Sequence, residues 1–258
     1  MMVQVSQHDD VNAVLERYLH HIKAILADKF VGMYVYGSLT TGYFDWDSSD
    51  IDFLVVTTIE IRGDLLKKLQ QMHIELSKQS DRWGLEIEAS YIPKKALWKH
   101  DLNNRHHPHI DRGDNKLAVM QHDMDWVVQR YTLLENGMVL DGEPLEKLIA
   151  PISIETLRAT MVELMDFWWI PQSNNPDMFV GEGAGYSCYA ILSMCRMLYT
   201  YRTGKTTAKV PAGKWAIGVV DAQWHDLIQL ALYNLNGSPD ITQGNVQAFI
   251  RYVDSLMR

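Results

Sequence analysis

The segment Val31–Thr57, VGMYVYGSLTTGYFDWDSSDIDFLVVT, restricts the fold more than any other part of the chain. Val31–Tyr36 has the composition of a short buried strand. Gly37-Ser38 follows directly, then a loop of small and aromatic residues, Leu39–Ser49, then a second strand-like run, Asp50–Val56. In an extended chain Asp50 and Asp52 point to one face, roughly 6–7 Å apart, while Ile51, Phe53 and Val55 point to the other. Carboxylates at alternate positions of an apolar strand suit a hard divalent cation such as Mg²⁺, which is held by one or two carboxylates together with substrate phosphates. Gly37 lets the backbone come close to a phosphate, and Ser38 offers a hydroxyl and an amide. Each motif alone is ordinary, since strand ends often carry acids and Gly-Ser makes turns. Their order, strand then Gly-Ser then loop then Asp-x-Asp strand, is what points to a phosphate and metal site.

A third carboxylate follows in LEIEASYI, Leu85–Ile92, bounded by Gly84 and Pro93. Leu85, Ile87 and Ala89 alternate with Glu86, Glu88 and Ser90, the pattern of a half-buried strand. Paired beside the Asp-x-Asp strand, it brings one glutamate to the aspartates, where a carboxylate can take the proton of an acceptor hydroxyl. Glu86 and Glu88 share a face, and the pattern does not choose between them.

The rest of the chain is read around this centre. Val11–Lys29 and Ile61–Gln79 carry apolar residues at helical spacing on either side of it. His100–His109, HDLNNRHHPH, reads as a polar loop whose histidine spacing fits no ordinary zinc template. Lys116–Glu135 reads as a helix, Met138–Leu140 as a short element, and Pro144–Ile152 as a linker. Beyond it the pattern is helical: Ser153–Trp169, Gly185–Tyr201, Ala212–Val220, Gln223–Leu235 and Gly244–Met257, with a turn-rich loop over Ile170–Gly183. Two domains are therefore expected, 1–150 and 151–258.

Composition narrows the function. A net charge of −8 argues against a nucleic-acid groove, which wants clustered Lys and Arg, and suits a cationic small molecule. No apolar run approaches the roughly 18–20 residues of a membrane span, and Met1–Asp10 lacks the apolar core of a signal peptide. The two cysteines, Cys188 and Cys195, read as buried thiols suited to a reducing compartment. A cytoplasmic, monomeric protein is expected.

The Gly-Ser, loop and Asp-x-Asp arrangement resembles the nucleotidyltransferase superfamily typified by DNA polymerase beta, with eleven residues, Leu39 to Ser49, in the loop. The second half sharpens the likeness. Arg196, Tyr199, Thr203-Gly204-Lys205, Lys209 and Trp215-Ala216, with the connection Asn136–Pro151, are similar to the aminoglycoside 3″- and 9-adenylyltransferases. That resemblance implies an α/β nucleotidyltransferase domain with a small mixed sheet, then an all-α helical bundle, with ATP bound between them. It implies Mg²⁺ on Asp50 and Asp52, and phosphate contacts from Gly37, Ser38, Ser49, Arg196 and Lys209. The family's base lies in a Leu-Glu-Val strand; Leu85-Glu86-Ile87 matches it and selects Glu86. The reaction implied is transfer of AMP from ATP to a hydroxyl of an aminoglycoside-like acceptor, releasing pyrophosphate. A family drug-binding acid falls on Tyr186 here, with Glu182 expected to take its place; Asp177, and Asp111 in the first domain, are the other expected acceptor contacts. The rival readings are a different small-molecule or protein acceptor, and a catalytically silent nucleotidyltransferase fold that serves as a binding partner.

Overall fold

The computed structural model describes residues 4–79, 82–175, 178–179, 184–234, 238 and 240–258. The chain divides into two compact units, Met1–Pro151 and Ile152–Arg258. The first is built on a six-stranded sheet of order β5-β4-β3-β2-β1-β6. Its elements run α1 (Asp9–Leu26), β1 (Phe30–Val35), α2 (Ser38–Thr41), β2 (Ile51–Thr57), α3 (Gly63–Ser77), β3 (Ile87–Pro93), α4 (Lys94–Trp98), β4 (His106–Ile110), β5 (Ala118–Gln121), α5 (Asp125–Asn136) and β6 (Met138–Gly142). Only β2 and β3 pair in parallel; every other neighbouring pair is antiparallel. This follows from the connections, because a parallel pair needs a long crossover and α3 supplies it between β2 and β3.

The period-two pattern of the central strands separates two cores. Met33, Val35, Ile51, Phe53, Val55, Ile87, Ala89 and Tyr91 pack on one side with the apolar stripes of α1 and α3. Tyr34, Tyr36, Leu54, Val56 and Ile92 pack on the other with Leu97, Trp126 and Leu133. Asp52, Glu88 and Ser90 alternate into the second face, so the acids lie at the end of the face that carries Leu54, Val56 and Ile92. On α1, Val11, Val14, Leu15, Tyr18, Leu19, Ile22 and Leu26 are all buried, and burying one such aliphatic side chain is worth about 1.5–3 kcal/mol.

Two segments of the sheet differ from their sequence reading, and in the second unit Ile170–Ser173 is helical where Ile170–Gly183 reads as a loop. His106–Ile110 is a strand, where His100–His109 reads as loop, and Ala118–Gln121 is a strand, where Lys116–Glu135 reads as one helix. Both lie toward the sheet's edge, where β4 and β5 pair over four residue pairs from His106↔Gln121 to His109↔Ala118. Pro108 is tolerated because the ladder from β4 to β3 runs only through His109 and Ile110.

The second unit comprises α6 (Ile154–Leu164) with a π turn at Met165–Trp169, α7 (Ile170–Ser173), α8 (Ala184–Thr203), α9 (Lys209–Ile217), α10 (His225–Tyr233) and α11 (Gln243–Met257). Ser153 caps α6 by accepting from the Thr156 amide, and Thr242 and Asn245 form a reciprocal capping box on α11. Helix α8 is the centre of this unit. Cys188, Ala190, Ile191, Leu192, Met194, Cys195 and Leu198 are buried around most of its circumference, as expected of a helix enclosed by others, and α6, α9, α10 and α11 pack on it. Neither cysteine is in a disulfide and both are buried, and burial pushes the Cys195 thiol up to about 12. Among the described residues no helix is long and apolar enough to cross a membrane.

Two histidines buried in the first unit make its stability depend on pH. Burial pushes His73 down to about 3 and His122, whose other histidine neighbours add repulsion, down to about 2. Unfolded histidine titrates near 6.5, so below that pH the unfolded chain takes up protons that the folded chain refuses. Stability is full above about pH 6.5 and is lost as pH falls. Each group contributes a slope of at most ~1.4 kcal/mol per pH unit, so the pair is expected to remove roughly 4 kcal/mol by pH 5. Urea unfolding at pH 7.5 and pH 5 measures this; equal unfolding free energies at the two values would contradict it.

Candidate active site

The site forms where β1 ends and β2 begins. Gly37 stands at φ 73°, a conformation that glycine adopts without strain, and starts the single turn of α2 at Ser38. The Tyr36 amide donates to the Asp52 carbonyl at 3.2 Å, which holds the turn beside the second aspartate. A methyl group added at Gly37 would overlap the Asp52 carboxylate, so the turn lies directly against it. The Ser38 hydroxyl oxygen is buried and has no hydrogen-bond partner among the described residues.

The loop 39–49 is held from several sides. The indole N–H groups of Trp46 and Trp83 each donate to Asp10 Oδ2 at 2.9 Å, and the Arg82 guanidinium lies over both rings, 4.4 and 4.5 Å from their centroids. The Ser49 amide donates to the Asp45 carbonyl at 2.8 Å, and the Asp45 amide donates to Ser49 Oγ at 3.0 Å. Ser49 therefore closes the loop and fixes the entry into Asp50. The Phe44-Asp45-Trp46-Asp47 segment is loop, so the aspartates of the strand entry are Asp50 and Asp52.

The third carboxylate comes from β3 through the register. Ile51 stands opposite Ile87 and Asp52 opposite Glu88. Asp50, Asp52 and Glu88 place one carboxylate oxygen each within 4.8 Å of one another. Glu86, the residue selected from the sequence, is not part of this group. Its Oε2 lies 2.6 Å from Arg112 Nε, and Arg112 Nη1 donates to the Ser48 carbonyl at 3.0 Å, so Glu86 and Arg112 brace the loop. The two glutamates share one local pattern, because apolar-Glu-apolar occurs twice in overlapping frames, Leu85-Glu86-Ile87 and Ile87-Glu88-Ala89. Only the second frame lies inside the strand, and matching the first buried isoleucines, Ile51 and Ile87, would have chosen it.

Charge accumulates at this end of the sheet. Tyr36 is buried beneath it, and burial, with repulsion from Asp52, Glu88, Asp50 and Asp125, drives its hydroxyl far above the usual tyrosine range. Asp111 lies one strand further along, where the ladder Ala89↔Ile110 continues toward Glu88 and Asp111. It is exposed, with Oδ1 3.1 Å from His109 Nε2, and His109 Nδ1 in turn meets Ser90 Oγ at 2.7 Å. The donor set fits a divalent cation: three carboxylates from two strands, beside a turn whose buried hydroxyl lacks a partner.

The remaining expected site residues lie in the second unit. Arg196 is half-buried on α8, and Lys209 opens α9 with its Nζ 4.7 Å from the centre of the Tyr189 ring. Tyr189 and Arg196 are seven residues apart, two turns of one helix, so they lie along one side of α8 about 10 Å apart. Tyr186 sits among aromatic rings, 5.0 Å from Tyr189, 5.9 Å from Phe179 and 6.2 Å from Trp169, with the Trp168 indole donating to its hydroxyl at 3.4 Å. Asp177 and Glu182 lie outside the described residues.

Residues 148–255 match the family model described as the aminoglycoside adenylyltransferase C-terminal domain. An aminoglycoside (3″)(9) adenylyltransferase of Klebsiella pneumoniae is 22% identical over 96% of this chain and 92% of its own. A spectinomycin 9-adenylyltransferase of Staphylococcus aureus is 21% identical over 90% of this chain and 89% of its own. The chain is related to the aminoglycoside adenylyltransferases. A crystal structure of a spectinomycin adenyltransferase from Enterococcus faecalis, solved with ATP and spectinomycin, superposes with a TM-score of 0.74 at 20% identity, over 95% of this chain and 98% of that one. The fold is thus that of a nucleotidyltransferase domain followed by a helical domain.

Proposed function

We propose that the chain transfers AMP from ATP to a hydroxyl group of an aminoglycoside-type acceptor, releasing pyrophosphate. The observation that carries this is the convergence of Asp50, Asp52 and Glu88 within 4.8 Å against the Gly37-Ser38 turn. Asp50 and Asp52 would hold Mg²⁺, which when bound neutralises phosphate charge and acts as a Lewis acid. Gly37 permits close approach of the triphosphate, and the unpartnered Ser38 hydroxyl donates to a phosphate oxygen. The base is assigned to Glu88 and no longer to Glu86. Glu88 takes the proton of the acceptor hydroxyl as that oxygen bonds to the α-phosphorus of ATP and the bond to pyrophosphate breaks. Arg196 and Lys209 are proposed as phosphate-binding cations on the strength of the sequence resemblance. Asp111, in the same row of the sheet as Glu88, offers a carboxylate to an ammonium group of the acceptor.

The acceptor class is supported by the relatives named for aminoglycosides and spectinomycin, and by the net charge of −8, which favours a polycation. The test is mass spectrometry of spectinomycin and streptomycin after incubation with the chain, ATP and Mg²⁺. The expected result is a product heavier by one adenylyl group, formed only when Mg²⁺ is present. ATP binding without adenylylation of either drug would overturn the acceptor assignment.

A further inference from the structure

A second polar site lies beyond the carboxylates on the same face of the sheet. It is a recess of about 20 Å³ beside α5, lined by apolar Ile92 and Leu97, by Arg105, His107, His122 and Arg130, and by one carboxylate, Asp101. More than ~10–15 Å³ is enough for a water-sized occupant. Ile92 stands four residues along β3 from Glu88, about 13 Å at ~3.3 Å per residue, so the recess is separate from the carboxylate cluster.

Its wall is short of acceptors. Arg130 is 5% exposed. Among the described residues it forms no ion pair; Nη1 donates to the Leu97 carbonyl at 3.5 Å, the outer limit of a hydrogen bond, and Nε has no partner. Burial lowers it only to about 10, so it is a cation at neutral pH, and a buried cation without a counter-charge is strongly unfavourable. His122, also 5% exposed, stacks on Trp126 with ring centroids 4.2 Å apart, and among the described residues neither of its ring nitrogens has a partner. One of those nitrogens carries a proton to donate. Arg105 pairs with Asp123 through Nη1 while its buried Nε has no partner.

The nearby carboxylates are committed elsewhere. Glu60 meets His107 Nδ1 at 3.3 Å, and His107 Nε2 meets the Asn104 carbonyl at 3.1 Å. Asp101 lines the recess but is exposed to solvent, and its Oδ1 accepts from the Asn103 amide and side chain. Water would accept from the donors but would not neutralise Arg130. A transition metal is disfavoured by geometry: among the described residues the only set of three ligands that converges is Asp50, Asp52 and Glu88. What satisfies three unpartnered donors and one unpaired positive charge is an acceptor-only anion.

We propose that Arg130, His122 and Arg105 bind a small oxyanion of the phosphate class in this recess. The proposal is independent of the transfer reaction. It is tested by titrating inorganic phosphate into the full chain without nucleotide, with EDTA present and ionic strength held constant with NaCl. The readouts are the histidine ring signals in ¹H–¹⁵N spectra and the thermal midpoint. A saturable shift of the His122 ring and a raised midpoint are expected, and both should persist in Ser38→Ala, which disables the other phosphate-binding turn. Arg130→Gln should weaken the response by about tenfold or more, the loss of one charge-assisted bond. His122→Gln should do likewise and serves if Arg130→Gln does not fold. The proposal falls if phosphate leaves the His122 signals unmoved or if the response survives in both recess variants. It also falls if Ser38→Ala abolishes the response, if acetate reproduces it in full, or if Zn²⁺ shifts the His122 ring where phosphate does not.

Discussion

Glu88→Gln is expected to lower the rate of AMP transfer by about 10²–10⁴-fold, the usual worth of a positioned general base, while ATP still binds. The amide keeps the shape of the carboxylate and leaves Asp50 and Asp52 in place, but it cannot take the acceptor's proton. Glu86→Gln is the paired experiment. Glu86 meets Arg112 rather than the aspartates, and both side chains are partly exposed, so this pair is worth no more than ~1 kcal/mol. Its loss loosens the brace on Ser48 and should cost under about tenfold in rate. Single-turnover measurements with saturating ATP and Mg²⁺ read both variants. An inactive Glu86→Gln beside a fully active Glu88→Gln would return the base to Glu86 and remove the argument from strand register.

That pair of residues marks how far the sequence could be read. Asp50 and Asp52 were legible because their meaning is local: alternate acids in an apolar strand, just after a Gly-Ser turn. Glu88 was not, because its proximity to Asp52 depends on how β3 slides against β2, and two overlapping frames offered the same local pattern. The same limit explains β5. Ala118–Gln121 is mostly exposed, so it lacks the alternation that marks a half-buried strand, and only pairing with β4 makes it extended. The acids Asp123 and Asp125, just where α5 begins, were the available sign of a helix starting later than Lys116. In the helical half, boundaries shifted by a few residues while the elements stood, since α8, α10 and α11 carry strong apolar content. Arg130 gave no signal at all. An arginine within a helical stripe looks like any solvated cation until the sheet that covers it is known.

Gly37→Ala is expected to be the most damaging single change to the site outside the acids. Two effects meet there. At φ 73° and ψ −142° an alanine pays roughly 1–3 kcal/mol that glycine does not. Its methyl group would also overlap the Asp52 carboxylate, so either the turn or the aspartate must move. Displacing a reacting group by about 1 Å can cost on the order of 10²-fold, and here the displaced group would be one that holds the cation. A rate loss of at least about 10²-fold is therefore expected. Gly42 separates the two effects. It also has a positive φ, 78° with ψ 15°, the ordinary left-handed region, and an added methyl group there meets open space, so Gly42→Ala carries a milder strain without the overlap. The thermal midpoint should fall further in Gly37→Ala, whose ψ of −142° is a conformation that glycine alone adopts readily, and activity should collapse only there. Equal activity in the two would mean that the turn at Gly37 does not set the position of Asp52, and the close packing of turn against carboxylate would lose its functional meaning.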